Sequence, residues 1–232
     1  LAQLEEANRG LEERVRARTR ELEMVKDVTI TALAGLAETR DPETGAHIER
    51  TRLYVKTLAL ELQRQKRPDY PVDDETVDLL YRTAPLHDIG KVGVPDSILL
   101  KPGKLTAEEF EEMKKHTEYG VHALKRTAGQ MGYNSFLAYA ADICYQHHER
   151  WDGSGYPQGL KSTDIALSAR LMALADVYDA LISKRCYKEP FPHEKAYEII
   201  VEGSGSHFDP VVVDAFKSAA DTFQRIAREN SD

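Results

Sequence analysis

The first 28 residues carry a seven-residue hydrophobic repeat and few other apolar positions. With Leu1, Asn8, Val15 and Leu22 at position a, Leu4, Leu11, Arg18 and Val25 fall at position d, and Glu and Arg fill most of the rest. A repeat held over roughly four heptads fits a parallel two-stranded coiled coil, with Asn8 as the buried polar residue that fixes register and Arg18 as an interruption of the seam. A lone amphipathic helix packed on its own domain is the competing reading. From Val28 onward, apolar positions recur at three- and four-residue spacing over 46–66, 74–90, 106–128, 133–149, 163–182, 193–203 and 210–228. That is the period of helices turned toward a core. Asp41-Pro42 reads as an N-cap followed by Pro at the first helical position, and Thr106 with Glu109 as a capping box ahead of Phe110 and Met113. Loops rich in Gly, Pro and Asp occupy 67–73, 92–105, 150–162 and 203–209, and no stretch alternates apolar and polar for a full strand length. The pattern predicts an all-α fold: a helix over 1–28, then one domain over 29–232.

Composition narrows this further. The chain has 232 residues, 31 Lys+Arg against 39 Asp+Glu, a net charge of −8, 41% hydrophobic and 30% charged residues. That apolar share supports a real core and is unlike a disordered chain. No window approaches the ~18 apolar residues of a membrane span. An acidic chain without clustered Lys/Arg is not built to neutralise a nucleic-acid polymer. Cys144 and Cys186 form neither a C-x-x-C pair nor a disulfide framework, which points to a reducing, cytoplasmic setting. The start, LAQLEEANRG, has no signal-peptide pattern and no Met, so it reads as part of a longer chain with an N-terminal neighbour.

The eight histidines matter through their positions. His87-Asp88 sits near the end of an apolar helical run, with Lys91 one turn later behind Gly90. His147-His148 ends another such run, where a surface pair favoured by the helix C-terminus is the alternative. Asp176 lies in ALADVYDAL, where a carboxylate is expensive unless paired, metal-bound or turned to solvent. His116 alone reads as solvated, and Glu43 with His47 as an i,i+4 pair at a helix start. Taken together, five histidines and three carboxylates without a thiolate make a nitrogen and oxygen ligand set, suited to Fe, Mn, Zn or Ni. They exceed the needs of one tetrahedral ion and fit two or three ions bridged by carboxylate, the arrangement that generates hydroxide and clamps a phosphoryl displacement.

HDIGKVGVPD at 87–96, HHERWDGSGYPQGL at 147–160 and ALADVYDAL at 173–181 resemble the HD-GYP family of cyclic-di-GMP phosphodiesterases. RDPETGAH at 40–47, SKRCYK at 183–188 and GSHFDP at 205–210 are similar to it as well, so the resemblance covers about 28–228. It implies an HD-type bundle of five core helices plus additions. It makes His87 and Asp88 metal ligands, with Asp88 bridging two ions. His116, His147 and His148 would complete one ion's shell and Asp176 another's, while Glu43 and His47 match positions that hold a third ion in some members. Lys91 would contact the scissile phosphate, and Arg185 and Lys188 the substrate's phosphates. The Gly155-Tyr156-Pro157 segment would be a structured loop that also meets partner domains, with Tyr156 a candidate for lining the substrate cleft. Cys186 stands where the family usually has Pro.

The resemblance implies a cytoplasmic hydrolase of c-di-GMP, with a hydroxide between two or three divalent ions (Fe or Mn favoured, Ni or Zn as alternatives) attacking phosphorus. The product would be pGpG, and GMP after a second cut. A non-catalytic module that binds c-di-GMP or a partner, and a hydrolase of another cyclic dinucleotide or nucleotide phosphate, are the other readings. The repeat over 1–28 adds a homodimer that passes a signal from an upstream sensory or receiver domain. His122, His193 and His207 read as structural or solvated, and Cys144 as an inert core residue.

Overall fold

The computed structural model describes residues 2–38, 45–131, 135–184 and 189–231. They form ten α-helices: α1 (Ala2–Glu38), α2 (Gly45–Gln65), α3 (Asp74–Thr83), α4 (Asp96–Leu99), α5 (Ala107–Lys114), α6 (His116–Met131), α7 (Ser135–Gln146), α8 (Leu167–Ile182), α9 (His193–Glu202) and α10 (Pro210–Glu229). Short 3₁₀ turns lie at Ala84–Leu86, Ile89–Gly93 and Ser162–Asp164. Among the described residues there is no strand beyond an isolated bridge, Ser204 to Phe208. The described residues form the expected all-α bundle.

Helix α2 runs through its middle and packs on α3, α8 and α10. Tyr54, Val55, Leu58 and Leu62 form its fully buried face. The Tyr54 ring stacks on Phe223 at 4.5 Å between centroids and meets Tyr178 edge-on at 5.1 Å. These rings lock α2, α8 and α10 together, because buried aromatics bring large apolar area and prefer such offset or T-shaped contacts. Helix starts are fixed by side chains. Asp73 accepts from the Thr76 amide, Thr106 and Glu109 form the expected capping box, and Asp209 accepts from Val211 ahead of Pro210.

Two predicted helices are broken. The run over 74–90 stops as an α-helix at Thr83. Pro85 removes a backbone donor, and the chain continues in two 3₁₀ turns that leave His87-Asp88 between them. The run over 106–128 divides at Lys115, where the His116 ring and the Thr117 hydroxyl bond to the Met113 and Lys114 carbonyls. Such local bonds compete with the helix ladder. Asp41-Pro42 lies outside the described residues.

Helix α1 runs unbroken past the heptad segment to Glu38. Ala34 and Ala37 are buried, and α1 packs on α2 and on the 3₁₀ turns on either side of His87-Asp88. Farther from the bundle, Leu11, Val15, Leu22 and Val25 are all more than half exposed.

Candidate metal centre

Five parts of the chain converge on one site. His47 comes from the start of α2, and His87, Asp88 and Lys91 from the paired 3₁₀ turns. His116 opens α6, His147 and His148 follow α7, and Asp176 lies on α8. The turn carrying Asp88 seats directly on α6, where Gly90 faces the His116 carbonyl with no room for a side chain.

The histidines are oriented by their Nδ1 atoms. His87 Nδ1 lies 3.0 Å from the Ala84 carbonyl, His116 Nδ1 2.8 Å from Met113 and His147 Nδ1 3.0 Å from Ile143. A carbonyl only accepts, so each Nδ1 donates its proton and Nε2 is the nitrogen turned into the site. His47 Nδ1 donates instead to the Asp179 carboxylate at 2.8 Å. All four rings are buried.

Their inward atoms form two groups. His47 Nε2 is 3.4 Å from His87 Nε2 and 3.7 Å from Asp176 Oδ1. Asp88 Oδ1 is 3.3 Å from His116 Nε2 and 3.5 Å from His147 Nε2, with His148 completing that group. The other Asp88 oxygen faces His87 Nε2 at 3.4 Å and Lys91 Nζ at 2.7 Å. Within each group, the ligand atoms lie within 4.8 Å of one another.

This arrangement fits divalent cations. Asp88 Oδ1, His116 Nε2 and His147 Nε2 are buried polar atoms without a hydrogen-bond partner. Leaving such atoms unpaired is costly, and lone pairs facing one another and a carboxylate repel until a cation lies among them. Burial lowers the His87 imidazole from 6.5 to about 4 and takes His148 well below its ordinary value. Both rings are therefore neutral at pH 7, the form that binds metal. Burial alone would raise the Asp88 carboxyl, but Lys91 and the surrounding histidines hold it well below the usual carboxylate range.

Eight candidates from the sequence thus meet: His47, His87, Asp88, Lys91, His116, His147, His148 and Asp176. The resemblance set His47 apart, with Glu43, for a third ion; here it shares a group with His87 and Asp176. Tyr156 stacks on His148, with ring centroids 4.7 Å apart. Glu43, Arg185 and Lys188 lie outside the described residues, as does Cys186. Cys144 is buried, His122 is exposed, and His193 Nδ1 bonds the Tyr178 hydroxyl at 2.7 Å.

The sequence reading missed Asp179 and Glu149. Asp179 is 1% exposed, and the signal for it was its i,i+3 spacing from Asp176 on an apolar helix. Glu149 is buried and accepts from the Gln158 and Leu160 amides at 2.7 and 3.0 Å, which ties down the Gly155-Tyr156-Pro157 loop. A cleft of about 620 Å³ is lined by residues that include Arg50, Tyr178, Ser183 and His193, and does not include the grouped ligands.

Among the described residues, the fold is all-helical and its site is a histidine–aspartate cluster that fits divalent metal. The model of the HD domain matches residues 32–212, and the chain belongs to that family. It is 55% identical over 212 residues to a protein of Vibrio cholerae named cyclic di-GMP phosphodiesterase, covering 91% of this chain and 43% of the relative. It is 43% identical over 191 residues to a protein of the same organism named 3′3′-cGAMP-specific phosphodiesterase 2, covering 82% of this chain and 34% of the relative. The chain therefore spans less than half the length of these relatives. A crystal structure of a cyclic GMP-AMP specific phosphodiesterase of V. cholerae shares the fold, with a TM-score of 0.56 at 18% identity, covering 89% of this chain and 51% of that one. The HD-GYP resemblance read from the motifs is borne out.

Proposed function

We propose that this chain is a metal-dependent phosphodiesterase that opens c-di-GMP to pGpG, with GMP the product of any second cut. The observation that carries this reading is the inward convergence of buried histidine Nε2 atoms on Asp88 and Asp176, with Lys91 beside Asp88. The names of the relatives support the substrate.

In this reading His47, His87 and Asp176 would hold one ion and Asp88, His116, His147 and His148 a second. Glu43 takes part in a third. The nitrogen and oxygen ligand set suits iron, manganese, nickel or zinc alike, and iron or manganese is the preference that the family resemblance implies. Bound divalent ions supply activation of water and neutralisation of phosphoryl charge. The chain supplies the rest. Lys91 presents its ammonium to the scissile phosphate, and charge aimed at developing oxyanions stabilises the transition state. Arg185 and Lys188 hold the substrate's other phosphate. Burial raises the Tyr156 phenol, which stays protonated and donates to substrate at the cleft wall.

Chelation followed by readdition of Mn²⁺ or Fe²⁺ tests the reading. Turnover of c-di-GMP, followed by chromatography, should vanish and return; turnover that survives chelation contradicts it. A second reading, hydrolysis of 3′3′-cGAMP, is favoured by the relative so named. Competition between the two dinucleotides separates them.

The domain division at 28/29, a coiled-coil homodimer through 1–28, an upstream sensory or receiver domain, a partner domain at Gly155-Tyr156-Pro157 and a cytoplasmic location belong to the same proposal. The exposed Leu11, Val15, Leu22 and Val25 support the dimer. Removing residues 1–28 should give a monomer by light scattering, and a variant that stays dimeric contradicts it. No described helix is long and apolar enough to cross a membrane.

A further inference from the structure

One buried ion pair stands directly behind the metal centre. Asp179, 1% exposed, receives Arg50 Nε at 2.6 Å on one oxygen and Arg50 Nη2 at 3.0 Å on the other. The second of these oxygens also accepts the proton of His47 Nδ1 at 2.8 Å. Arg50, 3% exposed, further donates to the Asn230 carbonyl and the Ser183 hydroxyl, each at 2.9 Å. The pair thus joins α2, the end of α8 and the end of α10.

A buried salt bridge of this kind is weak evidence for stability alone, because desolvating two ions offsets most of their attraction. Its distinguishing feature is the third partner. His87, His116 and His147 are each oriented by a carbonyl three or four residues back on their own chain segment. That support is local and survives substitution elsewhere. His47 alone among these four rests on a charged carboxylate 132 residues away in sequence.

We propose that Asp179 is a positioning residue for the His47–His87–Asp176 group, and that Arg50 holds Asp179 in place for it. The carboxylate fixes which His47 nitrogen carries the proton, sets the ring plane and makes Nε2 a stronger donor to a cation. The two ligand groups therefore differ in one support: His116 and His147 rest on backbone carbonyls, as His87 does, whereas His47 brings a side-chain relay to the group it shares with His87 and Asp176. Perturbing the relay weakens one metal-binding event and spares the other. The inference rests on the metal-centre reading above.

The test is binding of Mn²⁺ alone to chelator-stripped full-length chain, by titration calorimetry with elemental analysis. Wild type is compared with Asp179→Asn, with Arg50→Gln/Asp179→Asn, which removes both charges and leaves no orphan ion, and with His47→Ala. Both relay variants should weaken one binding event about 10–100-fold, the same event that His47→Ala loses, while the other keeps its affinity. Asp179→Glu should restore part of the loss. Circular dichroism reports that each metal-free variant is folded. If both events keep wild-type affinity in the folded Asp179 variants while His47→Ala loses one, the positioning role is refuted. A uniform weakening of both events refutes it as well. Absence of Mn²⁺ binding to wild type overturns the metal-centre reading itself, and is distinguishable because no variant is needed to see it.

Discussion

Gly90→Ala perturbs the metal centre without replacing any ligand. An ideal Cβ at residue 90 falls 1.8 Å from the His116 carbonyl oxygen, 2.5 Å from the Gly120 nitrogen and 2.8 Å from the His116 carbonyl carbon. All three are backbone atoms of α6, so no side chain can rotate away. Relieving the first contact from 1.8 Å to the 3.0 Å floor of real Cβ contacts separates the Asp88 turn from α6 by at least about 1.2 Å. If that displacement falls along the line between the groups, the 3.3 Å gap from Asp88 Oδ1 to His116 Nε2 opens to about 4.5 Å. Metal–ligand distances tolerate only about ±0.2 Å, and a 1 Å misplacement can cost ~10²-fold in rate. Overpacking of this kind also costs about 1–3 kcal/mol of stability. The expected outcome is a folded protein with a lower denaturation midpoint, less bound metal and kcat/KM for c-di-GMP down by about 10²-fold or more. Wild-type metal content with kcat/KM within about threefold of wild type would refute the reasoning.

Three further outcomes follow from the same structure. Lys91→Ala removes the ammonium 2.7 Å from Asp88 and should lower kcat about 10²–10³-fold, the loss typical of one transition-state donor, as read by steady-state kinetics. Asp209 is buried, bonds Arg170 at 2.6 Å and the Tyr70 hydroxyl at 2.9 Å, and caps α10, so Asp209→Ala should cost about 3–5 kcal/mol in denaturant unfolding by leaving Arg170 uncompensated. In metal-free protein the folded His87 holds off its proton until about pH 4, whereas the unfolded side chain takes it near 6.5. The unfolded state therefore binds more protons in that window, and stability present above pH 6.5 falls by on the order of 3 kcal/mol toward pH 4, measurable by unfolding at a series of pH values.

The helices that carry the core were readable from the chain because their apolar spacing is local. The periodicity over 210–228 became α10, and that over 193–203 became α9. Thr106 and Glu109 announced the start of α5 for the same reason: a capping box closes within four residues. The break at residues 84–93 was not readable from periodicity. The apolar positions continue through it, and only Pro85 and the close approach of Gly90 to α6 turn the chain into tight turns. Site residues were legible where an uncommon type stood in an apolar run, as at His87, His147 and Asp176. Asp179 and Arg50 were not, because their meaning comes from a contact between residues 129 positions apart. A carboxylate one turn beyond a candidate ligand looks the same in sequence whether it faces solvent or holds a histidine. The grouping of His47 with Asp176 has the same origin, since it exists only once α2 lies against α8.

The central claim is that this single histidine–aspartate centre hydrolyses the cyclic dinucleotide. The most direct measurement is c-di-GMP turnover and metal content, side by side, for wild type and for His87→Ala/Asp88→Ala, purified without oxygen and supplied with Mn²⁺ or Fe²⁺. The account predicts linear pGpG and at least two divalent ions per chain for wild type, and for the folded double variant a loss of metal and of turnover by at least about 10³-fold. Unchanged turnover in the folded double variant would contradict it.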